Sequence, residues 1–157
     1  MALEHSEREF VPKTLLARSL AENGFRVFIG STEAIDILVK RLKPSIILHK
    51  SMWDQRSGYY KSLGHKFVVL DEEGGITHPR STVWDFCLER FESVDESRND
   101  VILFPTLRFQ EAVRDQHPTA NVRFITTGWP RIDLWQEELA VIHQQDADVI
   151  KKQHGEF

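Results

Sequence analysis

RVFIGSTEAIDILVKRLKPSIILHK, residues 26–50, is the stretch whose pattern decides the fold. Arg26 to Gly30 is short, carries β-branched and aromatic residues and ends on a glycine, which predicts a buried strand. Ser31 and Thr32 follow as natural helix N-caps, because a side-chain oxygen there accepts one of the N–H groups that a first turn leaves unpaired. Ile35, Leu38, Val39 and Leu42 then recur at the spacing of one helical face, and Pro44 closes the helix. Ser45 to His49 starts the next strand.

Working outward, the same alternation continues. A segment with tyrosines and glycines from Trp53 to Gly64 leads to a strand at Lys66 to Leu70. After a loop at Glu72 to Arg80, Val83, Phe86, Cys87 and Phe91 suggest a helix, and the charged stretch Glu92 to Asp100 reads as a surface connection. Val101 to Pro105 is a fourth strand, Thr106 to Gln116 a short helix and Val122 to Thr126 a fifth strand. Leu134, Trp135, Leu139 and Ile142 resume helical spacing. Upstream, Pro12 is expected at the first helical position, where its missing N–H costs nothing, with Leu15, Leu16, Leu20 and Ala21 as an apolar stripe and Asn23-Gly24 as the stop. The strands are near-continuous apolar runs, as burial on both faces of a parallel sheet requires. The expected fold is therefore α/β, a Rossmann-like three-layer domain with a mostly parallel sheet. Both ends read as unfinished: Met1 to Leu3 is short for a first strand, and Gly155 to Phe157 falls where another strand is expected. An incomplete edge of that kind predicts self-association.

Composition excludes several classes. A chain of 157 residues with 41% hydrophobic content suits one globular domain. A bilayer-spanning helix needs about 20 consecutive apolar residues, and no run comes near that. The net charge of −4, with both signs interleaved, gives no electrostatic case for nucleic acid. Cys87 is the only cysteine, and with no hydrophobic leader it points to a reducing, cytoplasmic setting and to a packing role for that thiol. Walker, G-x-S-x-G, C-x-x-C and H-E-x-x-H patterns are absent, which argues against a P-loop nucleotidase, an α/β-hydrolase, a zinc site and a zincin protease; no metal is expected.

Open α/β sheets bind ligands beyond the carboxyl ends of their strands, so the residues just after each strand carry the chemistry. At Gly30-Ser31-Thr32 a helix N-terminus offers N–H groups to a phosphate or carboxylate, although a capped strand-to-helix turn is common without any ligand. Asp71, Glu72 and Glu73, followed by Gly74 and Gly75, crowd three carboxylates at one strand end. Crowding raises carboxyl pKa values and can keep a proton for general acid or base work. The same composition also suits a solvated acidic loop; strand-end position favours function. His78 in that loop is a base or a surface imidazole. Lys50, beside Ser51, can bind a carboxylate or phosphate. In Thr127 to Asp133, Gly128 and Pro130 set a turn, and Arg131 faces a phosphate or pairs with Asp133, which can also cap the last helix.

Three separated segments resemble bacterial surface-carbohydrate biosynthesis proteins: Arg8-Glu9-Phe10 with Lys13 and Leu15-Leu16-Ala17; Leu70 to Gly74; and Gly128-Trp129-Pro130-Arg131-Ile132-Asp133. The last also resembles a turn of CDP-glycerol glycerophosphotransferases, and the layout is similar to retaining Kdo transferases. The resemblance implies one half of a GT-B-like architecture: residues 1–143 as the N-terminal, acceptor-side domain, and 144–157 as the start of an interdomain linker or a truncated continuation. It implies a role in lipopolysaccharide or capsule synthesis, transferring a sugar or related unit from a nucleotide-activated donor. Asp71, Glu72 and Glu73 would be catalytic, and Glu9, Gly30, Ser31, Lys50, Gly74, Arg131 and Asp133 would bind ligands. No cofactor is expected in this domain, since the nucleotide-activated sugar is the donor substrate. The partners implied are that donor, a glycan acceptor and a separate or following donor domain, with membrane contact peripheral at most, at the inner face. Two alternatives stay open: a non-catalytic binding or assembly module or truncated remnant, and a nucleotide-sugar epimerase domain.

Overall fold

The computed structural model describes residues 1–4, 6–50, 54–72, 85, 88–92, 94 and 100–154. Its elements are β1 (Ala2–Leu3), α1 (Ser6–Glu22), β2 (Gly30–Ser31), α2 (Thr32–Val39), β3 (Ile46–His49), α3 (Asp54–Ser62) and β4 (Lys66–Leu70). There follow β5 (Val101–Phe104), α4 (Leu107–Gln116), β6 (Arg123–Thr126), the single turn α5 (Pro130–Asp133), a 3-10 helix (Glu137–Ile142) and α6 (Gln144–His154). Every strand pair is parallel: β1 with β2, and β3-β4-β5-β6 in order. β1 also lies against β3. Side by side the strands run β2-β1-β3-β4-β5-β6, with the ladder interrupted between β1 and β3. This is a mixed α/β fold of generic Rossmann-like type.

One face of the main sheet carries the core. Parallel register places Ile47 beside Phe67, His49 beside Val69, Val69 beside Ile102 and Ile102 beside Phe124. Onto this face pack Tyr60, Phe91 and the α4 residues Phe109 and Val113. Phe104 sits 5.4 Å from Phe91 and 5.9 Å from Phe109, centroid to centroid, the tilted and edge-on arrangement that the ring quadrupole favours. Val83, Phe86 and Cys87 of the expected helix lie outside the described residues, although Leu88 and Glu89 are helical. The opposite face, with Ile46, Leu48, Val68 and Leu103, is covered less completely. Burial alternates along β3, β4 and β5, against the expectation of two buried faces. A cavity of about 610 Å³ lies between these residues, α1 residues Leu16 and Leu20, and Phe25 and Phe28.

Three further expectations are corrected. The strand expected at Arg26 to Gly30 shrinks to Gly30–Ser31, because its partner β1 offers only Ala2 and Leu3 for pairing. The first helix begins at Ser6 and holds Pro12 inside it. An interior proline removes one helical hydrogen bond and crowds the carbonyl four residues back. Here the ring is buried beside Lys13, and burial of this face offsets that cost. After Ile132 no amphipathic helix packs on the sheet. The chain breaks into α5 and the 3-10 helix, and Trp135 is 78% exposed. The predicted end of the first helix holds: Gly24 takes φ +87°, and the N–H of Phe25 donates to the carbonyl of Leu20 at 3.0 Å.

Candidate functional site

Helix α1 leaves β1 with Glu9 and Lys13 one turn apart on its inner face, and both side chains are buried. Lys13 Nζ donates to Glu9 Oε2 at 2.8 Å and to the carbonyl of Ala2 at 2.9 Å. It also lies 3.7 Å from Glu72 Oε2, just past the end of β4. Beyond β3, Lys50 Nζ reaches Glu4 Oε2 at 3.0 Å and Glu9 Oε1 at 3.5 Å. His49 Nδ1 stands 3.8 Å from Glu4 Oε1, with its ring stacked on Phe67. Glu9 Oε2 further accepts from the backbone N–H of Glu4 at 3.0 Å. From the turn after β6, Arg131 Nη2 donates to the carbonyl of Glu72 at 3.1 Å, and its guanidinium lies 5.0 Å from the centre of the Trp129 ring.

The cluster sits where the sheet changes direction. Chain leaving β1 goes one way to β2, while β3 to β6 extend the other way, and the carboxyl ends of β1, β3 and β4 converge on it. In open α/β sheets this is where ligands enter, because the diverging loops open a crevice.

The structure separates Asp71 from Glu72. Successive residues at a strand end turn to opposite faces. Asp71 pairs with Arg90, whose guanidinium lies 5.6 Å from the Phe91 ring centre, on the core side. Glu72 turns instead to Lys13 and Glu9. Asp71 is thus drawn away from Glu72 by its own partner, Arg90. The Glu72 carboxyl is pushed above the ordinary 4.5 first by burial, with the charge of Glu9 adding to the rise and Lys13, Arg131 and Lys50 opposing it. Glu9 goes the other way. Burial alone would raise it, but the hydrogen bonds from Lys13 and from the backbone of Glu4, with the charges of Lys13 and Lys50, hold it below 4.5. Two carboxyls joined by one ammonium thus favour opposite protonation states, the arrangement that assigns acid and base roles in many active sites. Glu72 Oε1 is buried and has no hydrogen-bond partner among the described residues; the same is true of Trp129 Nε1. Unsatisfied buried polar atoms are uncommon, and a catalytic or ligand-binding role is one of the physical reasons for keeping one.

The remaining expected positions divide. Glu9 and Lys50 enter the cluster. Gly30 packs closely, since a Cβ there would stand 3.3 Å from that of Ala34, and Ser31 spends its hydroxyl accepting from the N–H of Ala34 at 3.2 Å as the cap of α2. Arg131 is corrected in its partner: it reaches Glu72, not Asp133. Asp133 accepts from Gln136 at 3.4 Å and caps no helix by its side chain. Gly128 takes φ +85°, as the turn requires. Glu73, Gly74, Ser51 and His78 lie outside the described residues. Glu4 and His49 were not singled out by pattern, and Lys13 only through the resemblance. The Glu9/Lys13 spacing of four was the signal available for the pair.

Among the described residues no group of three or more His, Cys, Asp or Glu is arranged to hold a metal ion, and no helix is long and apolar enough to cross a membrane. Comparison with protein-family models, with curated proteins and with solved structures gives no match.

Proposed function

We propose that this chain is the acceptor-side, three-layer Rossmann-like half of a GT-B-like transferase of surface-carbohydrate synthesis, with Glu72 as its general acid or base. The observation that carries the reading is the buried Glu72 carboxyl at the switch point, raised above 4.5 and with Oε1 unsatisfied. A carboxyl whose neutral form is favoured by burial can give its proton to a leaving group or, once ionised, take one from an acceptor hydroxyl. Glu9 stays ionised beside it, and Lys13 and Lys50 balance the negative charge. Arg131 holds the main chain at Glu72, fixing where that carboxyl starts. The resemblance at residues 8–17, 70–74 and 128–133 supplies the substrate class: a nucleotide-activated sugar donor and a glycan acceptor, used at the cytoplasmic face.

The test is a transfer assay on this chain, alone and joined to the product of the adjacent reading frame, with a panel of nucleotide-sugar donors. Transfer that is lost on alanine replacement of Glu72, in a variant that keeps its fold, supports the proposal. Full turnover in the Asp71, Glu72 and Glu73 replacements together would remove it. A second reading, a non-catalytic assembly module, is favoured by one observation: apolar side chains at Ile46, Trp135 and Val141 stand in solvent. Specific association with a partner chain and no turnover with any donor would select that reading.

A further inference from the structure

We infer that Lys13 is a positioning residue, a clamp that engages Glu9 and Glu72 each through its Oε2 and so leaves Glu72 Oε1 as the oxygen that exchanges a proton with a bound ligand. This inference rests on the acid–base reading of Glu72 given above.

The geometry is asymmetric in a way that a simple structural ion pair does not need. Lys13 is 2.8 Å from Glu9 Oε2 and 2.9 Å from the carbonyl of Ala2, full hydrogen bonds, but 3.7 Å from Glu72 Oε2, an electrostatic contact only. An ammonium has three protons. Two are committed to α1 and β1, and these fix the nitrogen relative to the backbone. The third faces Glu72 from a nitrogen that cannot follow it. All three side chains are almost wholly buried, so the charge acts through a medium that screens it far less than water does.

Among the described residues, the charged groups packed near Glu72 fit this division. From α1 come Glu9 and Lys13. From the end of β3 comes Lys50, which reaches Glu9 and Glu4 rather than Glu72. His49 stands toward Glu4. From the turn after β6 comes Arg131, bonded to the main-chain oxygen of Glu72 and not to its carboxylate. Asp71, next in the chain, is paired with Arg90. Lys13 is thus the cation within ion-pair reach of the Glu72 carboxylate among the described residues, and it touches one oxygen of the two. If Glu72 transfers a proton, the step is balanced at Oε1: the O–H bond breaks as the ligand oxygen gains the proton, and the carboxylate left behind is stabilised by Lys13 at Oε2.

The experiment uses the full chain with carbon-13 in the glutamate carboxyl groups, followed across a pH titration, with Glu72→Gln and Glu9→Gln to assign the signals. In the unsubstituted chain Glu72 should titrate above 4.5 and Glu9 below it. Lys13→Met should move both midpoints upward, each by about one unit or more, because an opposite charge at this range lowers a carboxyl by roughly 1–3 units. Lys13→Arg should return Glu9 toward its original midpoint. Midpoints in Lys13→Met that stay within a few tenths of the unsubstituted values would overturn the inference. Should Lys13→Met fail to fold, the unsubstituted chain carries the test through the nitrogen-15 signal of the Lys13 ammonium. That signal should be visible, protected from exchange, and should shift at the pH where Glu72 titrates; a signal that ignores Glu72 overturns the clamp. No substrate is needed, so a failed titration is distinct from a failed transfer assay: expected midpoints beside full turnover in Glu72→Gln would leave the ion clamp standing and remove the catalytic role.

Discussion

Glu9, Lys13 and Glu72 concentrate the energetic risk of this molecule in three side chains. Charges taken out of water lose several kcal/mol of hydration each, which mutual attraction restores only while all partners are present. Lys13→Met alone should therefore destabilise the fold by about 3–5 kcal/mol, whereas the Glu9→Met, Lys13→Met pair should cost less than Lys13→Met alone, as read by urea denaturation. The two carboxyls should also pull stability in opposite directions with pH. Glu9 is held below 4.5 and Asp100 below 3.8, the latter because hydrogen bonds from the N–H of Phe67 and from Lys61 outweigh its burial. Their share of stability is complete above those values and drains as pH falls through the folded-state ones. Glu72, held above 4.5, has the reverse sign: its share is complete below 4.5 and is lost as pH rises toward its folded-state value. Denaturation of the unsubstituted chain at a series of pH values should show stability falling above 4.5, and Glu72→Gln should flatten that fall. Part of this site was legible, since Glu9 and Lys13 fall within the segment that carries the resemblance. Only the fold shows that the Glu9 face of α1 turns inward against β1 and the end of β4. The strand-end rule did pick out Glu72 and Lys50, because a position just beyond a buried strand is set by chain direction alone.

At the scale of elements, local chemistry that is complete within a few residues was readable and chemistry that needs a distant partner was not. The Ser31 cap and the glycine stop at Gly24 lie where the sequence puts them, since each motif closes its own hydrogen bonds. Ser31→Ala should cost about 1 kcal/mol by freeing the N–H of Ala34 in the first turn of α2. Gly128→Ala tests the turn that delivers Arg131. A Cβ there meets nothing within 4 Å, so the loss of about 1–2 kcal/mol comes from the backbone conformation at φ +85° and not from a clash. Thermal melts of the two variants check both values. The segment Arg26 to Ile29 failed as a strand for the opposite reason. Its β-branched and aromatic residues suit a sheet, but strand formation there depends on a neighbour, and β1 supplies two residues only. The helix expected after Ile132 failed likewise, for its spacing had no sheet face to pack on, and Leu134 alone of its four apolar residues is buried.

Across the whole molecule, one face of the sheet is covered more completely than the other among the described residues. Apolar runs in β3, β4 and β5 were legible as parallel strands, but which face would be covered depends on helices elsewhere in the architecture. Ile46, 63% exposed beside the 610 Å³ cavity, marks the less covered side. Exposed apolar surface of this kind drives association. The chain should elute above its monomer mass at high concentration and bind an exposed-hydrophobe dye, and Ile46→Lys should reduce both; a sharp monomer peak without dye binding would count against the less covered face. The proposed chemistry is assayed with a donor-binding partner joined, because the proposed function assigns donor binding to a second domain. In the proposed reaction Glu72, and not its neighbour Asp71, exchanges the proton. The most direct test is the turnover of Glu72→Gln against Asp71→Asn in that joined protein, both verified as folded. A positioned acid–base group contributes roughly 100- to 10,000-fold. Glu72→Gln should lose turnover in that range and Asp71→Asn much less, because Asp71 is paired with Arg90; equal losses, or the reverse order, would rule out Glu72 as the proton carrier.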